Sequence, residues 1–360
     1  MKVQRKSLNQ LDSIIWLQTA FLGDLVLSTG AFDLVKKEAP QLRQLLITSP
    51  VGHAALNGHK SLTKTLVIEK RRANFLVQAF RLRKKLMKMG LSPSNSVIIQ
   101  LHRSTRSTII SKLLGYPVVS YEESSFSKLA SWKVKRVAVF HECTRNALPL
   151  EQLGVKRTKL LSARPSLSPE QDSSLSELIK PKAYRIAIAP GSVWQTKKWP
   201  IQKFCDLIDL LLNQPGIQLV LIGSKSEVPL LDSIKKNRES FFREGKLLNL
   251  IGKTSLDDLR FVYPQLNLLI SNDSSPIHYA SAFNIPTIAI FGATVSSMGF
   301  GPLAEGSQVI ERKSLSCRPC SAHGPNKCPL KHFKCMEDIK AEEVYQQVLK
   351  YLPKDPASKL

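Results

Sequence analysis

Three polar loops in the second half of the chain combine small residues, lysines and hydroxyls in an order suited to a phosphate-bearing ligand. The first is Ala189-Pro-Gly-Ser-Val-Trp-Gln-Thr-Lys-Lys-Trp-Pro200. Gly191 and Ser192 allow close backbone approach, and Lys197 and Lys198 bring positive charge towards the next helix start. A nucleoside diphosphate needs that compensation from backbone N–H groups, a helix N-terminus and a lysine. The second loop is Ile222-Gly-Ser-Lys-Ser-Glu227, where Glu227 could accept hydrogen bonds from ribose hydroxyls. The third is Ser271-Asn-Asp-Ser-Ser-Pro-Ile-His278, with Asp273 at a helix cap and Ser274 and His278 on one helical face at i,i+4. Neither half carries a G-x-G-x-x-G fingerprint by its first strand or a G-x-x-x-x-G-K-[ST] loop, which argues against a dinucleotide oxidoreductase or a P-loop enzyme.

Other residues carry weaker signals. His102, Arg103 and Arg106 follow a strand end in the first half and could meet an anionic acceptor; the plain alternative is a surface arginine at a helix start. Cys317, Cys320, Cys328 and Cys335 fall within 19 residues, with His323 and His332 nearby. Three readings stay open for them: structural zinc, reduced packing or redox-sensitive thiols, and disulfides. Cys143 and Cys205 sit in apolar or helical contexts and read as buried small hydrophobes.

The elements that must position these residues follow from periodicity. Apolar runs at Ser13–Leu17, Leu45–Thr48, Thr65–Ile68, Val97–Leu101 and Val137–Phe140 predict strands in the first half. Helical patterns over Leu25–Lys37, Ala73–Gly90 and Thr105–Leu114 alternate with them. From Ser162 to Lys182 the pattern lapses into Ser, Pro and charge, which marks a domain boundary. Strands at Arg185–Ala189, Gln218–Ile222, Leu248–Ile251, Leu266–Ile270 and Thr287–Phe291 then alternate with helices at Ile201–Leu212, Val228–Lys236 and Ser274–Phe283, before a last helix, Ala341–Leu352. Two α/β lobes of parallel strands facing across a cleft are the expected architecture, and such sheets place ligands beyond their strands' carboxyl ends.

The formal net charge of +24 is unevenly spread. Residues 1–165 hold 28 Lys/Arg against 9 Asp/Glu, and the remainder 24 against 19. Nucleic acid, an anionic bilayer and a phosphorylated acceptor all answer to such a field. The tracts Lys70-Arg71-Arg72 and Arg81-x-Arg83-Lys84-Lys85-x-x-Lys88 surround the helix over Ala73–Gly90, whose Leu76, Phe80 and Met87 could face a core or a lipid surface. No zinc-finger or RNA-recognition signature accompanies the charge, so no nucleic-acid partner is expected. No stretch reaches the roughly 18 apolar residues of a membrane span, and the start lacks a signal-peptide pattern. The expectation is a cytoplasmic protein.

Four segments, in order, resemble the ADP-heptose:lipopolysaccharide heptosyltransferases of glycosyltransferase family 9. They are Leu17-Gln-Thr-Ala-Phe-Leu-Gly-Asp-Leu-Val-Leu-Ser-Thr29, Lys197-Lys-Trp-Pro200, Asn272-Asp-Ser-Ser-Pro-Ile-His-Tyr-Ala280 and Pro286-Thr-Ile-Ala-Ile-Phe-Gly-Ala-Thr294. The last of these and the late Cys317-Arg-Pro-Cys320 … Cys328-Pro … Cys335-Met segment resemble the heptosyltransferase II branch. The resemblance implies a GT-B fold and inverting transfer of heptose from ADP-heptose to the inner core of lipopolysaccharide, without an obligatory metal or other cofactor. The alternatives are a related transferase using a different nucleotide sugar and a non-catalytic module that binds anionic lipid or nucleic acid. Residues 1–165 would bind a lipid-linked acceptor of the Kdo–lipid A type and residues 166–340 the ADP-sugar, with 341–360 a helix and tail. By the same resemblance Asp24 is the catalytic base and Lys197 the diphosphate lysine, with Lys198 beside it. Ser192, Glu227, Asp273, Ser274, Ser275 and His278 would line the donor site, Ser275 standing where that motif usually has glycine. A peripheral place at the inner face of the cytoplasmic membrane follows from such an acceptor.

Overall fold

The computed structural model describes residues 6–70, 74–170, 175–179 and 183–353. Arg71 and Arg72 of the basic tract, the expected helix start at Ala73, Lys182 at the end of the expected boundary, and the tail from Lys354 lie outside the described residues. The chain forms two compact units, Met1–Ser168 and Pro169–Leu360.

The first unit is built on strands β1 (Ser13–Leu17), β2 (Arg43–Thr48), β3 (Lys64–Val67), β4 (Ser96–Gln100), β5 (Val118–Tyr121) and β6 (Trp132–Val134). They lie in the order β3-β2-β1-β4-β5-β6, and every neighbouring pair is parallel. Helices α1 (Leu22–Glu38), α2 (Pro50–Leu56), α3 (Phe75–Lys88), α4 (Thr105–Leu114), α5 (Glu142–Ala147) and α6 (Arg157–Leu160) accompany them. β1 and β4 are buried along their whole length, which explains why both read as unbroken apolar runs rather than alternating ones. The polar atoms this buries are paired: the Trp16 indole donates to Gln44 Oε1 at 2.9 Å, and Gln44 Nε2 donates to the Phe32 carbonyl at 2.9 Å. In α3, Ala79, Leu82 and Leu86 pack into a core with Ile15, Leu45 and Ile98.

The second unit repeats the plan with β7 (Tyr184–Ala189), β8 (Ile217–Leu221), β9 (Leu247–Asn249), β10 (Leu268–Asn272), β11 (Thr287–Phe291) and β12 (Gln308–Glu311), ordered β12-β11-β10-β7-β8-β9. All five pairings are parallel. Its helices are α7 (Ile201–Leu212), α8 (Leu230–Lys235), α9 (Glu239–Arg243), α10 (Leu256–Val262), α11 (Ser275–Ala282), α12 (Lys334–Glu337) and α13 (Ala341–Val348). α7 buries Phe204, Leu207, Ile208 and Leu211, the i, i+3, i+4, i+7 stripe of a surface helix. Ala341, Val344 and Val348 of α13 join the same core, so the last helix belongs to this unit. Among the described residues no helix is long and apolar enough to cross a membrane.

One predicted strand is absent. Val137–Phe140 is a loop, with Val139 83% exposed. The sheet ends instead at β6, a few residues earlier. The loop's backbone is claimed by a guanidinium rather than a neighbouring strand: Arg145 Nε donates to the Val137 carbonyl at 3.2 Å, and Arg145 also donates to the Ala138 carbonyl.

α1 packs closely on α5 through Gly30. A methyl group there would lie 2.6 Å from Cys143 Sγ and 2.7 Å from the Arg164 carbonyl oxygen. Backbone cannot move aside as a side chain does, so Gly30→Ala should cost about 1–3 kcal/mol by overpacking. Urea unfolding checks this: the midpoint should fall with an unchanged slope.

Candidate functional site

In the first unit the polar groups collect where doubly wound sheets take ligands, at the strand C-termini beside the reversal between β1 and β4. β1 runs out into Gln18 and Thr19, and Asp24 follows in the first turn of α1. Beyond β3 comes Lys70, and beyond β4 come His102, Arg103 and Ser104. Thr19 Oγ1 is 3.0 Å from His102 Nδ1, and Lys70 Nζ is 2.7 Å from the same nitrogen. Lys70 also reaches Ser104 Oγ at 3.4 Å. Arg106, in the first turn of α4, lies over the Phe75 ring with 5.9 Å to the centroid. The structure thus gathers His102, Arg103 and Arg106 with Lys70 of the basic tract and with Thr19.

Asp24 is held in an opposing field. Its carboxyl is pushed up to about 7, first by burial and then by the nearby Glu142 carboxylate. The Phe21 backbone N–H, Arg136 and Arg103 pull the other way without prevailing. Glu142 is fixed by Arg136 and by Arg145, the latter at 3.1 Å. Neither Arg136 nor Glu142 has any motif around it; only the fold of the loop between β6 and α5 brings them to Asp24. A carboxyl that titrates near neutrality at a sheet's ligand edge suits proton abstraction.

In the second unit the loops after β7, β8, β10 and β11 meet. Asn272 is fully buried and staples two of them: its Oδ1 accepts from the Trp199 N–H at 3.1 Å, and its Nδ2 donates to the Pro190 carbonyl at 2.7 Å. Lys197 Nζ pairs with Asp273 Oδ2 at 2.7 Å, and Thr294 Oγ1 donates to that same oxygen at 2.5 Å. Ser274 is the N-cap of α11 and Ser275 its first residue, so both stand where N–H groups point outward. Ser274 Oγ lies 3.5 Å from the Gly191 carbonyl, next to Ser192. Glu227 accepts from the Ser224 N–H at 2.5 Å, and a methyl group built on Gly191 would overlap its carboxylate. A side chain at Gly191 would therefore displace the Glu227 carboxylate. His278 is buried one turn into α11, its ring 6.3 Å from that of Phe300. Lys198 is half-buried at the end of the same turn as Lys197. Ser192, Lys197, Asp273, Ser274 and Glu227 are therefore brought to one edge.

The cysteine segment is strapped over this edge. Arg318 donates to the carbonyls of Phe291, Thr294 and Gly292 and pairs with Glu311 at 2.9 Å, all nearly out of solvent. Gly324 sits against Lys197, where a methyl group would lie 3.2 Å from Cε. Cys317, Cys320, Cys328 and Cys335 are free thiols, as are the buried Cys143 and Cys205. Among the described residues no group of three or more His, Cys, Asp or Glu side chains is gathered as a metal site.

Two outcomes follow from this geometry. Because the raised pKa of Asp24 makes its ionised form costly in the folded state, Asp24→Asn should raise the melting temperature above pH 7. That gain should shrink as pH falls through 7 towards the ordinary carboxylate range, a trend that calorimetry across pH would show. Asn272→Ala strands the Trp199 N–H and the Pro190 carbonyl, and should cost about 1–3 kcal/mol in chemical denaturation.

Comparison with known proteins fits this arrangement. The model of glycosyltransferase family 9 (heptosyltransferase) matches residues 81–331. The lipooligosaccharide heptosyltransferase 2 of Campylobacter jejuni serotype O:6 is 26% identical over 332 residues, covering 92% of this chain and 96% of that protein. Among solved structures, a family 9 glycosyl transferase from Veillonella parvula superposes with a TM-score of 0.80 at 19% identity, over 94% of this chain and 97% of its own. The E. coli ADP-heptose lps heptosyltransferase II does so with a TM-score of 0.73 at 18% identity, over 94% and 98%. The two six-stranded parallel sheets are those of the GT-B fold. With a family model matched over well more than half its length, this chain belongs to glycosyltransferase family 9, the heptosyltransferases.

Proposed function

We propose that the chain transfers heptose from ADP-L-glycero-D-manno-heptose to the inner core of lipopolysaccharide, inverting the anomeric carbon. The observation that carries this reading is Asp24, a carboxyl raised to about 7 amid the cationic ligand edge of the first unit. The acceptor would be a Kdo–lipid A-type molecule, whose carboxylates and phosphates suit the half of the sequence with 28 Lys/Arg against 9 Asp/Glu. The relatives' shared designation as heptosyltransferase 2 supports the donor and acceptor classes. Such an acceptor would keep the enzyme at the inner face of the cytoplasmic membrane.

In this reading Asp24 takes the proton from an acceptor hydroxyl as that oxygen bonds to the anomeric carbon. The bond from that carbon to the donor phosphate breaks, and its electron pair leaves with ADP. Charge then grows on the diphosphate, where Lys197, the hydroxyls of Ser192 and Ser274 and the N-terminus of α11 would meet it. His278 would donate to a phosphate oxygen, and Glu227 would accept from the ribose. Lys70, His102, Arg103 and Arg106 would hold the acceptor's anionic groups.

The direct test is mass spectrometry of Kdo-containing lipid acceptors incubated with a panel of ADP- and UDP-sugars. Gain of one heptosyl unit from ADP-heptose, lost by a factor of about 100 or more in Asp24→Ala, is expected. Transfer from another nucleotide sugar would keep the mechanism and change the donor. No transfer by folded, acceptor-binding protein would overturn the reading. The pH dependence is a second check. Since Asp24 must be ionised to act, kcat/KM should rise with pH through a limb near 7. Glu142→Gln removes a raising charge, so the limb should move to lower pH.

A further inference from the structure

α3 carries two apolar stripes, and the core uses only one. At about 100° per residue, Ala79, Leu82 and Leu86 share the arc that packs inward. Leu76, Phe80 and Met87 fall within about 40° of one another, roughly 110° further round the helix. These three are 43%, 49% and 58% exposed, and Val77 beside them is 49% exposed. Arg81, Lys84 and Lys88 flank this second stripe on the side away from the core, and the helix contains no Asp or Glu. Arg83, on its other flank, is turned against Gly115 at the end of α4.

An exposed apolar stripe bordered by cations, with no carboxylate, is the pattern of a helix lying in a membrane interface. Charge decides among the occupants. A second copy would bring together two units with 28 Lys/Arg against 9 Asp/Glu in residues 1–165. Nucleic acid would satisfy the lysines and leave Phe80 and Met87 without a partner. An anionic bilayer satisfies both, phosphates for the cations and the acyl boundary for the apolar stripe. The helix also springs from the ligand edge described above, because Arg106 stacks on Phe75, its first residue.

We propose that α3 docks this enzyme on anionic phospholipid, lying in the headgroup layer with Leu76, Phe80 and Met87 turned to the acyl chains and Arg81, Lys84 and Lys88 on lipid phosphates. The benefit of this surface rests on the lipid-linked acceptor proposed above; its test does not. The full chain is sedimented with vesicles of phosphatidylethanolamine and phosphatidylglycerol, or of phosphatidylcholine alone. Parallel assays read the melting temperature, light scattering and turnover of a de-acylated, soluble acceptor.

The wild type should sediment with the anionic vesicles only, and less so as salt rises. Phe80→Asp with Met87→Asp should cut bound protein by about tenfold or more, and Lys84→Gln with Lys88→Gln by about fivefold per cation. Both variants should keep the wild-type melting temperature and soluble turnover. Equal sedimentation with neutral vesicles, or undiminished binding by the Phe80→Asp, Met87→Asp protein, overturns the proposal. So does a wild-type dimer that this variant dissolves, which would make a second copy the occupant. Should soluble turnover be absent while vesicle binding behaves as expected, the heptosyl reading fails and the docking surface stands.

Discussion

A parallel strand buried on both faces can offer polar chemistry only where it ends. β1 and β10 are closed to solvent along their lengths, so their side chains serve packing and their carboxyl ends serve ligands. That constraint is met twice here, once in each six-stranded sheet. It gathers Thr19, Asp24, Lys70 and His102 at one edge, and Gly191, Lys197, Glu227 and Asp273 at the other. The chemistry proposed for the enzyme depends on residues far apart in sequence being delivered to those two edges by βα turns.

The alternation of apolar runs and amphipathic helices made both sheets legible, because burial on two faces leaves continuous runs such as Ser13–Leu17. The exception is instructive. Val137–Phe140 has the composition of a strand, yet Arg145 takes its carbonyls and leaves Val139 in solvent. No local pattern announces a guanidinium arriving from a following helix. The candidate site divides along the same line. Asp24, Lys197 and Asp273 stand in motifs and were legible there. Arg136 and Glu142 stand in no motif, and even for Lys70 and Asn272, which do stand in quoted segments, the contacts exist only once the chain is folded, as when Asn272 bridges Trp199 to Pro190.

The two edges handle charge differently. At Asp24 the protein sets a carboxylate beside Glu142 and withholds water, so ionisation is made costly despite two arginines nearby. At Lys197 it does the reverse, holding the cation in a short pair with Asp273 that Thr294 further braces. The first arrangement keeps a proton exchangeable near neutral pH, and the second keeps a buried ammonium from being left alone.

That second pair has a consequence for turnover. On the proposed reading, a diphosphate engaging Lys197 would compete with Asp273 for its ammonium, and the carboxylate would be in place to receive it when the diphosphate departs. Asp273 would thus serve as a resident counter-ion, an internal competitor 2.7 Å away. It would weaken the grip on spent nucleotide by the same exchange that admits a fresh one.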